Sequence, residues 1–270
     1  MCLISSAVSE WALPIIYHSL RFTTAQAITD FVAQHDKTSE RIYTRLLLVR
    51  DLYIGKIPDE SSDLSYGSLH WPITSLQRLI SSCAELRSLT VLGLDQRLWA
   101  RFQPLLPPRL TKVTLGPIHG AHNSKNLKQH PPISFLTSAH TYLSDGEVED
   151  VMMYPTMTRF RKMCEANSMA PLWAVNQAPI IKRSKQMKEY EIVICGAPEY
   201  AEPAYVLATQ RKEELELDSR VVLRQYHGET WIAMVFQEFL DCRQCFLGTL
   251  LSSLPTVPSR IPSEHHLASQ

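Results

Sequence analysis

Residues 75–116 read SLQRLISSCAELRSLTVLGLDQRLWARFQPLLPPRLTKVTLG, and their apolar spacing governs how the rest of the chain is read. Leu86, Leu89 and Val91 fill an apolar-x-x-apolar-x-apolar template, and Leu110, Val113 and Leu115 fill it again. Before the first stand Ile73, Leu76, Leu79, Ile80 and Cys83, and before the second Leu98, Phe102, Leu105 and Leu106, at three- and four-residue steps. The first spacing predicts a short strand, the second an amphipathic helix. Pro72 suits a helix start, and Pro107 with Pro108 bounds the second helix.

The same template extends outward. Val49, Leu52 and Ile54 fit it earlier, and Met187, Tyr190 and Ile192 fit it later. Ile133 with Leu136, and Met157 with Phe160, fit it in part. Starts at Leu86, Leu110, Ile133 and Met157 are about 24, 23 and 24 residues apart, inside the roughly 20–29 of leucine-rich repeats. The expected fold is therefore α/β: a short, irregular leucine-rich-repeat-like solenoid closed by a C-terminal capping helix, since stacked units leave an apolar end to cover. Residues 1–30 read as a helical lead-in. Residues 31–250 read as the degenerate repeats with a capping strand and helix. Residues 251–270, rich in Pro and Ser, read as a disordered tail.

Composition narrows the function. Across 270 residues, 27 Lys and Arg balance 27 Asp and Glu, which argues against a nucleic-acid binder. No apolar run approaches the roughly 20 residues of a membrane helix. The N-terminus lacks a basic region before its apolar patches. The six scattered cysteines fit a reducing compartment, so the expected location is cytoplasmic or nuclear.

One resemblance adds to this. The stretch VSEWALPIIYHSLRF at 8–22, with Trp11, Ala12, Leu13, Pro14 and Tyr17, and the stretch SLQRLISSCAELRSLTVLGL at 75–94 resemble fungal F-box and leucine-rich-repeat-like proteins. The segment LDSRVVLRQYHGETWIAMVFQEFLDCR at 217–243 is similar to the closing strand and Trp-led helix of such proteins. The resemblance implies the substrate-receptor part of a ubiquitin ligase. The helices that dock on the Skp-type adaptor would precede Val8, so adaptor binding is not expected of this chain.

The expected function is a non-enzymatic protein–protein interaction module with an unidentified protein partner, and no nucleic-acid or membrane partner. Two alternatives stay open: an orphan or truncated remnant without ligase recruitment, and an enzyme with a dispersed, unrecognised site. No catalytic, cofactor or metal residues are assigned. Cys242-x-x-Cys245 lacks a second pair at finger spacing. His119, His122 and His130 read as loop residues, Glu147, Glu149 and Asp150 as helix-capping acids, and Trp99, Trp173 and Trp231 as core or anchoring aromatics. Strand alternation then points Asp51, Tyr53, Ser88, Thr90, Lys112, Thr114, Arg159, Arg161, Glu189 and Glu191 onto one shared face, the expected partner-binding surface. Reversing Arg159 and Arg161 to Glu is expected to weaken binding and leave the fold intact.

Overall fold

The computed structural model describes residues 6–35, 44–120, 127–228 and 230–252. Eight strands form one sheet: β1 Ser19–Phe22, β2 Asp51–Ile54, β3 Ser88–Leu92, β4 Lys112–Gly116, β5 Phe135–Ala139, β6 Arg159–Glu165, β7 Glu189–Cys195 and β8 Val221–Tyr226. They lie in chain order and every neighbouring pair is parallel. No pairing joins β1 to β8, so the sheet is open.

Parallel neighbours require a crossover, and crossovers of one hand in chain order place their helices on one face. The described helices are α1 Ser6–His18, α2 Ala25–Gln34, α3 Ile73–Ser82, α4 Gln96–Phe102, α5 Asp145–Met152, α6 Ala170–Gln177, α7 Pro198–Glu214 and α8 Trp231–Ser252. Register aligns Leu52, Leu89, Val113, Leu136, Phe160 and Tyr190 in one transverse row. That row is buried against Ile28 of α2, Leu76 and Ile80 of α3, Phe102 of α4, Val148 and Met152 of α5, and Ala174 of α6. Each of the larger apolar side chains among them contributes about 1.5–3 kcal/mol by leaving water. Asp95 caps α4 by accepting from the Arg97 and Leu98 amides. Ser144 and Glu147 close a reciprocal capping box on α5.

The second face is covered as well. Trp231, Val235 and Phe239 of α8, spaced four residues apart, pack on Tyr53, Leu92, Ala139, Met163 and Val193. At 1.5 Å per residue this 22-residue helix is about 33 Å long. Eight strands spaced about 4.8 Å apart are about 34 Å wide. Its aromatic Phe246 reaches the far edge and stacks on His18, just before β1, at 3.6 Å.

These facts correct the expected leucine-rich-repeat-like solenoid. The fold is α/β with one eight-stranded, all-parallel sheet flanked by helices on both faces, and α8 lies across a face instead of capping an end. The physical reason is that the template marks any strand entered by a turn after a helix, which every strand–helix–strand unit supplies. Only β3 to β6, beginning at Ser88, Lys112, Phe135 and Arg159, keep a short period; the steps outside them are longer. The tail predicted as disordered lies mostly in 253–270, outside the described residues.

Candidate interaction surface

The register gathers the ten predicted surface residues into two transverse rows. One row runs Asp51, Ser88, Lys112, Phe135, Arg159, Glu189; the other runs Tyr53, Thr90, Thr114, Thr137, Arg161, Glu191. Both rows lie beneath α8, which corrects the reading of an open binding face. Asp51, Tyr53, Thr90, Thr114, Arg161 and Glu191 are buried, and Ser88, Lys112, Arg159 and Glu189 are half-buried.

Under α8 the charges are spent on one another. The Glu191 carboxylate, 1% exposed, accepts from Arg159 at 2.7 Å, from Arg161 at 2.6 Å and from Arg224 at 2.7 Å. Arg161 also donates to Glu238 of α8, which accepts from Lys112 at 3.2 Å. The Phe135 ring lies against Lys112, Arg159 and Arg161 at 5.4, 4.6 and 5.1 Å. Burial opposes the charge on Arg161, but Glu238 and Glu191 outweigh it and hold the guanidinium above its ordinary pKa. Burial likewise opposes the charge on Glu238, and Arg161 with Lys112 outweighs it and holds that carboxyl below its usual range.

A second polar set lies on the opposite, core-facing side. Ser138 and Lys162 are register partners there. Ser138 Oγ sits 2.8 Å from His119 Nε2, and His119 Nδ1 sits 2.7 Å from the Gly120 carbonyl. Nδ1 therefore carries the proton, and Nε2 accepts from the serine. Lys162 donates to Gln177 at 2.9 Å, and Gln177 donates to the Leu143 carbonyl and to Asp145. Burial lowers the His119 pKa to about 4 and also depresses Lys162. A serine beside a neutral histidine has the composition of a nucleophile and base. Here Ser138 is 1% and His119 4% exposed, so the pair ties the connection after β4 to strand β5, out of reach of a substrate. His122 lies outside the described residues.

The accessible chemistry is at the carboxyl ends of the strands. Ten large apolar side chains are exposed among the described residues, and seven follow strand ends: Tyr66 and Leu69 after β2, Ile118 after β4, Tyr142 after β5, Met169 and Trp173 after β6, Tyr200 after β7. Tyr142 and Trp173 meet edge to face at 5.0 Å while 67% and 49% exposed. This corrects Trp173 from a core or anchoring aromatic to a surface one.

Next to them a cavity of about 440 Å³ is lined by Glu165, Asn167, Cys195, Tyr200, Thr230 and Trp231, among others. Its shape follows from local bonding. The Ala166 amide donates to Cys195, and the Gly196 amide donates to Tyr226, holding three strand ends level. A Cβ on Gly196 would stand 3.1 Å from that of Ala166, so a small residue suits the cavity floor. Pro198 opens α7, and the Thr230 hydroxyl accepts from the Ala233 amide at the start of α8. Both helix N-termini therefore converge on the cavity. Glu165 faces His140 across 3.6 Å at its mouth.

The sequence signal for this rim was available. Segments 140–158, 165–181 and 195–210 contain no Lys or Arg, and each opens within a few residues on an aromatic or methionine. Among the described residues no group of three or more His, Cys, Asp or Glu is placed to hold a metal ion, and no helix is long and apolar enough to cross a membrane.

Comparison with the profiles of known protein families, with curated proteins and with solved structures finds no match to this chain. No F-box or ubiquitin-ligase role transfers to it from a relative.

Proposed function

We propose that the chain is a non-enzymatic protein-interaction domain whose contact surface is the rim beyond the strand carboxyl ends, not the sheet face. One observation carries this reading: seven of the ten exposed large apolar side chains stand on that rim. Contiguous exposed apolar surface marks contact sites, and Tyr and Trp are the residues most often dominant in them. In open parallel sheets the carboxyl end is also where connections are free to vary, because the strands below hold them in place.

The test compares two variants in affinity capture with crosslinking. Tyr142→Ser with Trp173→Ser should keep the wild-type melting temperature within a few degrees and lose at least tenfold of the captured partner. Arg159→Glu with Arg161→Glu should instead melt early. Undiminished capture by the folded rim variant would remove the reading.

A further inference from the structure

We infer that Cys242 and Cys245, about one turn apart on α8, form a two-thiolate site for a soft monovalent metal ion, cuprous copper. Cys242 lies 11 residues beyond Trp231, about 17 Å along the helix, so the site stands apart from the rim.

The cysteines of the described residues fall into two groups. Cys83, Cys164 and Cys195 are buried, while Cys242 and Cys245 are exposed. The exposed two belong to one helix, Trp231–Ser252, with Arg243 and Gln244 between them. Side chains three positions apart on a helix are neighbours, with Cβ atoms about 5–6 Å apart. A disulfide needs about 3.5–4.5 Å, so joining the sulfurs directly would distort the helix. A metal ion between them fits without that distortion. Two collinear metal–sulfur bonds of about 2.3 Å hold the sulfurs about 4.6 Å apart, within reach of those Cβ atoms.

Ligand number then selects the ion. Among the described residues no third His, Cys, Asp or Glu is placed with the pair. Zinc in a structural site takes four ligands, and two are missing. Cuprous copper is satisfied by two thiolates in line, and soft sulfur is its preferred donor. Charge does not make the selection: Asp51 and Glu238 act on Cys242 in favour of a cation, Lys112 acts against one, and Arg243 adjoins the pair. The donor atoms make it. Partial burial holds the Cys242 thiol above its ordinary pKa, a cost the metal meets in displacing that proton.

The experiment uses the full chain, reduced and freed of metal without oxygen, with cuprous ion supplied from its coloured complex with bicinchoninate. One copper per chain should pass to the protein. Cys242→Ser and Cys245→Ser should each lower the copper affinity at least tenfold, with melting temperatures within a few degrees of wild type because both thiols are exposed. Cys2→Ser should leave the affinity unchanged. A spacing variant, Cys245→Ser with Gln244→Cys, keeps two thiols but sets them two positions apart, where side chains do not face each other, and should lose as much. Zinc offered alone should not survive gel filtration with the protein. No copper uptake, half a copper per chain, full affinity in either single variant or in the spacing variant, loss with Cys2→Ser, or retained zinc would overturn the inference.

Discussion

Glu191 is the residue on which the layer beneath α8 depends. It is 1% exposed and accepts from three arginines. Removing one partner of a buried ion pair leaves the others uncompensated, which costs about 3–5 kcal/mol. Glu191→Gln should therefore destabilise by about that much in urea denaturation, and a change below 1 kcal/mol would show the arginines re-solvated. The same geometry reverses the sequence expectation for Arg161: a glutamate there would face Glu191 and Glu238 in a buried site, so the fold itself should suffer. His119 makes a pH prediction. Its folded pKa is about 4 against 6.5 unfolded, so below pH 6.5 the unfolded chain binds a proton that the folded chain refuses. Stability should fall as pH drops from about 6.5 to 4, by roughly 3 kcal/mol from this group, at 1.36 kcal/mol per unit. Glu238 adds to the loss only at lower pH, as its depressed carboxyl titrates. Equilibrium denaturation from pH 7 to pH 4, repeated on His119→Gln, isolates the histidine: the variant should lose less.

At the scale of elements, strands and helices were legible, and their assembly was not. Leu86, Leu89 and Val91 predicted the strand now seen at Ser88–Leu92, and Leu76, Leu79 and Ile80 predicted the helix at Ile73–Ser82. A period of two or 3.6 is local and survives in sequence. Which face of a sheet a helix covers depends on contacts far along the chain. Trp231, Val235 and Phe239 show that α8 has an apolar side, yet nothing in their spacing tells an end cap from a strap across Tyr53 and Met163. The ten polar positions misled for the same reason: alternation finds the second face of the sheet but says nothing of a helix lying over it. The strap rests on a layer half apolar and half charged, whereas α3 rests on an apolar one. Amide exchange in α8 should therefore be faster than in α3, and equal protection would show that the charged layer seals as well as the core.

On the scale of the whole molecule, a net charge of zero conceals a polarity. Arg50, Arg87, Arg109, Lys188 and Arg220 stand where strands begin, with fewer acids, Asp51, Glu85, Glu189 and Asp218, set among them, while Asp145, Glu147, Glu165 and Glu199 stand where strands end. Connecting helices run against the strands, so their positive ends meet the acids and their negative ends meet the bases, which explains part of the pattern. Composition averages the two ends away, and only the topology separates them.

Cooperativity follows from the same topology. In a stack of repeats each unit touches only its neighbours, and the ends can open independently. Here one buried apolar cluster runs from Phe22 to Val221 on the core side, and α8 ties the β7 end to His18 before β1 on the other. Leu52 in β2 and Ile192 in β7 are both buried, near opposite edges of the sheet. Truncating either to Ala should cost about 2–5 kcal/mol. Each variant should lower one shared thermal transition, not split it, because opening either edge also strips contacts from the strap that holds the other. Calorimetry and hydrogen exchange on the two variants decide this. If Leu52→Ala releases β1 and β2 while β6 to β8 keep wild-type protection, the strap does not couple the edges and the sheet unfolds piecewise from its ends.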